Sequence, residues 1–276
     1  MLRSMYSGVS GMKGFQTKLD VIGNNIANVN TTGFKSSRVM FKDILSQTSA
    51  GATAPTDERG GSNIKQIGLG VSIGSIDTLH LAGSAMTTNN PTDLRIDGDG
   101  FFAVSLGGDA AGGTFLTRAG DFHVDGAGNL VNSDGMFVLN TEGETITIDQ
   151  GSSFSIGSNG IISIRDAEGA VTADNQLAVV VIRNPEGLEK AGGNLYRMGV
   201  NAMAGDDAGD GAVPLGADEG GNASRGAIVA GQLEMSNVDL TDQFTEMITA
   251  QRGFQANSRI ITTSDEVLQE VVNLKR

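Results

Sequence analysis

The chain has 276 residues, a formal net charge of −13, no Cys, no Trp and 40 Gly. That length and a 39% hydrophobic content allow one large domain or two ordinary ones. The acidity speaks against a phosphate backbone as partner, and without cysteine there are neither disulfides nor thiolate metal sites.

The first predicted element is a helix. Met12, Phe15, Leu19, Ile22, Ile26 and Val29 recur at alternating steps of three and four, a heptad stripe that predicts a helix from within a few residues of Met1 to about Asn28. Gly8, Gly11, Gly14 and Gly23 weaken it, each by roughly 1 kcal/mol relative to Ala in an exposed helix. Packing has to compensate. Asn24, Asn25, Asn28 and Asn30, then Thr31, Thr32 and Gly33, read as a stop and a turn. A sharper reading makes these amides, Asn25 among them, fix the register of neighbouring helices by hydrogen bonding. No apolar run or small-residue cleavage pattern opens the sequence, so no secretory signal peptide is expected, and no segment approaches a membrane span.

Residues 19–36, LDVIGNNIANVNTTGFKS, resemble the amino-terminal signature of the bacterial flagellar rod and hook proteins, the axial family of the flagellum. Beyond them the chain turns polar, and 49–56 lack periodicity, as in an extended connector. Alternation then appears: Ile67, Leu69, Val71 and Ile73 predict one half-buried strand. Residues 90–104 and 115–139 are apolar runs separated by Asp-Gly and Gly-Asn pairs, the grammar of tight hairpins, and both resemble internal signatures of the same family. Asp97, Asp99, Asp121 and Asp125 miss the order of a calcium loop and read as turn residues. Residues 176–183, QLAVVVIR, predict a continuous strand covered on both faces, and 201–224 a Gly-rich acidic loop read as solvated.

The last predicted element is the longest. Leu240, Met247, Phe254, Ile261 and Leu268 stand seven residues apart, the seam of a long amphipathic helix with Asp239 or Thr241 as N-cap. The second row, Phe244, Gln251, Ser258, Asp265 and Val272, is apolar only at its ends. Two such helices paired alone would bury one side of each stripe, so neighbouring subunits are expected to supply the missing surface. Residues 232–276 resemble the carboxyl-terminal signature of the flagellar family.

Chemistry is sparse by comparison. His80 and His123 are the only histidines, and neither lies in a nucleophile context; no P-loop, HExxH or Cys/His cluster is present. No enzyme, cofactor or metal is expected.

The fold class expected is α+β: long terminal helices pairing in a coiled-coil-like layer around a hairpin-rich antiparallel middle. The expected division is 1–36 and 239–276 as an inner helical domain, 37–80 and 225–238 as connectors, and 81–224 as a β-rich outer domain. The resemblance implies a homopolymer whose subunits pack through Met12, Phe15, Leu19, Ile22, Asn25, Ile26 and Val29 at one end and Leu240, Phe244, Met247, Phe254, Ile261, Leu268 and Val272 at the other. It further implies rod and hook-junction proteins, a hook or rod cap and the flagellar type III export apparatus as partners, with no nucleic acid and no small-molecule substrate. Within the family, 7–12, 21–28 and 250–266 resemble hook more than distal rod, although the chain is short beside the long hook proteins. Hook is thus the expected role, distal rod the alternative, and a secreted β-rich adhesin with a helical stalk the rival from another class.

Overall fold

The structure is a computed structural model that describes residues 2–56, 60–108, 113–148, 153–165, 171–202 and 226–274. It divides into two compact units, one of Met1–Ala27, Ser37–Thr78 and Asp239–Arg276, the other of Asn28–Ser36 and Leu79–Val238. The fold is α+β, with a helix near each terminus and an antiparallel β-rich middle. Nearly all of the acidic loop expected at 201–224 lies outside the described residues.

In the first unit, α1 (Leu2–Ala27) and α2 (Leu240–Leu274) pack antiparallel: Gly8 lies against Asn257 and Ile261, Phe15 against Gly253, and Asn25 against Gln243. The N-cap of α2 is Asp239, whose Oδ1 accepts from the backbone N–H of Thr241 at 2.8 Å and Asp242 at 3.4 Å. With 35 residues against 26, α2 runs past the described start of α1. Beside the helices, Ser37–Asp43 pairs with Val71–Thr78, and Ser46–Ala50 with Lys65–Gly68. The single half-buried strand expected over 67–73 is therefore two. Gly70, at φ +137°, breaks it, and Ile67 and Leu69 are exposed.

The second unit holds a buried core. Among the described residues its largest sheet has eight strands, ordered Glu189–Gly192, Leu195–Arg197, Thr114–Thr117, Phe101–Ser105, Phe137–Val138, Leu130–Asn132 and Phe122–Val124, with Val179–Val180 also beside Phe101–Ser105. The strand Phe101–Ser105 is covered on both sides: Phe102 and Val104 join one apolar cluster with Leu94, Leu130, Ile146 and Ile162, while Phe101 and Ala103 join another with Leu116, Leu139 and Tyr196. That is why its sequence is apolar without alternation. The run 176–183 splits its side chains between the same two clusters, yet Gln176 ends the strand Val171–Gln176, Leu177 makes a single bridge to Asn140, and only Val179 and Val180 join the large sheet, so the continuous strand expected there is interrupted. Residues 227–234, in the stretch read as a return connector, form strands Ala227–Ala230 and Gln232–Glu234 of this unit, paired with Leu94–Asp97 and Ala85–Thr87.

Two successive hairpins share one side-chain device. Asn132 Oδ1 accepts from the N–H of Asp134 and Met136, and Asn140 Oδ1 from those of Glu142 and Glu144. Each asparagine replaces backbone partners that a tight turn leaves unmade.

Candidate functional site

The residues predicted to pack lie on the two helices, and the site is built from them. Gly8, Gly11, Phe15, Lys18 and Asn25 of α1 meet Asn257, Ile261, Gly253, Glu246 and Gln243 of α2, while Ile22, Ala250 and Ser264 are buried and Met247 and Leu268 half-buried on the same helices. Most of the meeting residues are small or polar. A Cβ on Gly11 would lie 2.8 Å from Asn257 Nδ2, and one on Gly253 would lie 2.6 Å from the Phe15 ring, so the two helices meet through glycine notches. Lys18 pairs with Glu246 at 3.2 Å. Asn25, fully buried, donates to the Ser37 carbonyl at 2.8 Å and to Gln243 Oε1 at 3.0 Å, while its own Oδ1 accepts from the Ser37 N–H.

The predicted packing residues thus fall into two sets. Phe15, Asn25 and Ile261 lie in the contact between the two helices, with Ile22 buried and Met247 and Leu268 half-buried. Met12, Leu19 and Ile26 are half-buried along the flank of α1, and Val29 follows the helix in the second unit. Leu240, Phe244, Phe254 and Val272 stand exposed on α2, with Phe244 at 50% and Val272 at 65% of full accessibility. Ile248, Val267, Val271 and Leu274 extend this uncovered apolar surface, and none of them belongs to the predicted rows. The contact residues Gln243 and Asn257, with the buried Ala250 and Ser264 in the same register, are invisible to a search for apolar periodicity because the row is small and polar. A stripe of small and amide residues seven apart was the available signal.

The hairpin strands of the same unit are exposed as well. Met40, Phe41, Ile44, Leu45, Ile64 and Ile67 present apolar side chains to solvent. Phe41 also reaches back to α1, its ring 5.8 Å from that of Phe15.

The second unit has a buried ionic cluster instead. Lys35 Nζ lies 2.6 Å from Glu234 Oε1 and donates to the Leu81 carbonyl at 2.7 Å, while Arg118 Nη1 lies 3.4 Å from Glu234 Oε2. Burial pulls the Lys35 and Arg118 pKa values down, and Glu234 opposes the shift in both. Next to this cluster His80 sits edge-on to the Phe101 and Tyr196 rings. Burial, then the positive charges of Lys35, Lys190 and Arg118, push its pKa down to about 4. Tyr196 is raised to about 12, chiefly by burial. Among the described residues, no group of three or more His, Asp or Glu is placed to hold a metal ion.

Three family models match the chain: Flagella basal body rod protein over 5–35, Flagellar hook protein FlgE/F/G D1 domain over 95–164, and Flagellar basal body rod FlgEFG protein C-terminal over 229–274. Helices with uncovered apolar flanks, joined to a β-rich unit and matched in these three regions, define a structural component of the bacterial flagellum. Among similar proteins, the flagellar basal-body rod protein FlgG of Bacillus subtilis is 56% identical over the whole of both chains. The flagellar hook protein FlgE of Borreliella burgdorferi is 30% identical over 455 aligned residues, covering all of both chains, and that of Treponema pallidum is 55% identical over 139 residues, half of this chain and 29% of its own. The chain belongs to the FlgE/FlgF/FlgG family of flagellar axial structural proteins.

Proposed function

We propose that this chain is a distal rod subunit, which builds the straight driveshaft of the flagellar basal body. The observation that carries the reading is the even, full-length correspondence with a rod protein. The hook protein that is aligned end to end requires 455 aligned residues to accommodate this chain of 276. The hook role expected from the sequence rested on the terminal signatures and set aside the shortness of the chain beside the long hook proteins; the full-length correspondence with a rod protein supports the alternative better.

In this reading, copies of the chain cover one another's exposed α2 residues, Leu240, Phe244, Phe254 and Val272, together with the flank of Met12, Leu19 and Ile26. The exposed hairpin strands add a second contact. Adjoining rod and hook-junction proteins, a cap and the type III export apparatus are its partners. The test is electron microscopy of basal bodies from a strain lacking the gene. Truncated rods are expected. Complete rods without hooks would overturn the rod assignment and restore the hook.

A further inference from the structure

The second unit is discontinuous in sequence: the chain enters at Asn28, leaves after Ser36, returns at Leu79 and leaves again after Val238. Three of these four crossings are tied together inside the unit by side chains. Asn237 Oδ1 accepts from the Ser36 N–H at 2.7 Å, and its Nδ2 donates to the Leu79 carbonyl at 2.8 Å, so one amide holds two outgoing segments to a third. The Leu79 N–H itself donates to the Ser36 carbonyl at 2.8 Å. One layer deeper, Glu234 receives Lys35 from the first segment, the Gly83 N–H from the second and Arg118 from the large sheet. Arg118 in turn donates to the Gly98 carbonyl at 2.6 Å. Gly33, at φ +68°, has no room for a Cβ beside the Ala119 N–H, and its own N–H donates to the Glu234 carbonyl at 2.8 Å.

A buried ionic cluster is a poor source of net stability, because desolvation consumes much of the attraction, whereas breaking one partner leaves an uncompensated charge. What such a cluster does well is fix geometry. From its position at the crossings we infer that Lys35, Arg118, Glu234 and Asn237 form a mechanical clamp. It makes three separate chain segments resist tension as one anchor, so that force arriving along any of them spreads into the large sheet through Arg118 and does not peel off a single strand. Asn25 plays the equivalent part in the first unit, holding the Ser37 backbone in both directions and Gln243. The inference rests on the axial role above for the source of the tension only; the clamp itself is testable on the isolated chain.

The natural sequence lacks cysteine, so two introduced cysteines give unique attachment points for single-molecule pulling. Handles at Asn30 and Thr241 load the clamp; handles at Asp125 and Glu186 load the same unit without crossing it. Asn237→Ala and Glu234→Gln should unfold about 10- to 100-fold faster at equal force in the first geometry and at an unchanged rate in the second. A core truncation between the second pair of handles, Ile162→Ala, should show the reverse. Asn237→Ala removes no buried charge and keeps the test open should Glu234→Gln fail to fold. Equal acceleration in both geometries, or none in the first, would overturn the clamp. The basal-body phenotype is decided separately, so failure here leaves the rod assignment standing, and the converse holds.

Discussion

His80 shows how a single side chain in this protein couples packing to pH. Its ring fits edge-on between Phe101 and Tyr196, and three cationic groups surround it, so the folded unit disfavours the imidazolium. The folded pKa is about 4 against 6.5 for the free side chain. Between those values the unfolded chain binds a proton that the folded unit refuses, so stability falls as pH drops from about 6.5 to about 4, while above 6.5 this group contributes no slope. Because the ring is only part-buried, solvent screening reduces the loss to about 1–2 kcal/mol. Urea denaturation at pH 7 and pH 5 should show about 1 kcal/mol of this, and His80→Phe, which keeps the ring contacts, should abolish it. An unchanged pH slope in that variant would assign the acid sensitivity to carboxylates elsewhere.

At the scale of the helices, glycine separates two kinds of position that the sequence presents alike. Gly11 receives the Asn257 side chain, whereas a Cβ at Gly23 would meet nothing within 4 Å. Gly23→Ala should stabilise α1 by about 0.5–1 kcal/mol, the helix-propensity difference. Gly11→Ala should destabilise the helix pair by about 1–3 kcal/mol, because Asn257 has to give way inside a packed seam. Thermal unfolding followed by helical circular dichroism distinguishes them by opposite shifts. The two glycines illustrate what was legible. Both helices, the cap at Asp239 and the β-rich middle follow from periodicity, turn chemistry and capping, all local properties. Which face of each helix meets the other does not, since the contact rows of Gly, Lys and Asn in α1 and Gln, Ala, Asn and Ser in α2 are chosen for fit. Glu234 and Lys35 were equally hidden: 199 residues apart, they are ordinary charges until the fold brings them together.

For the whole molecule, the self-assembly proposed above has to be reconciled with a net charge of −13. Like-charged subunits repel, with a screening length of about 8 Å at physiological ionic strength, so association has to come from short-range burial. Under that proposal the helix pair supplies it: small and polar residues serve its own contact, and Leu240, Phe244, Ile248 and Phe254 stay exposed in the single chain. A covered Phe contributes on the order of 1.5–3 kcal/mol, and the contribution recurs at every added subunit. Phe244→Asp or Phe254→Asp removes that burial and places a charge in the interface; at Phe244, 50% accessible in the single chain, folding is little disturbed, whereas Phe254, at 37%, also gives up packing within the chain, so its fold is checked by circular dichroism. The critical concentration for polymerisation, measured by sedimentation at fixed salt, should rise by about 100-fold or more, with loss of swimming when the variant replaces the natural protein. Thr249→Asp, an exposed position with no exposed apolar side chain three or four residues away on the helix, adds the same charge and should polymerise nearly as well as the unmodified chain. If it fails equally, electrostatic repulsion governs assembly; if both phenylalanine variants polymerise and swim normally, the α2 flank is not the surface that neighbouring subunits cover.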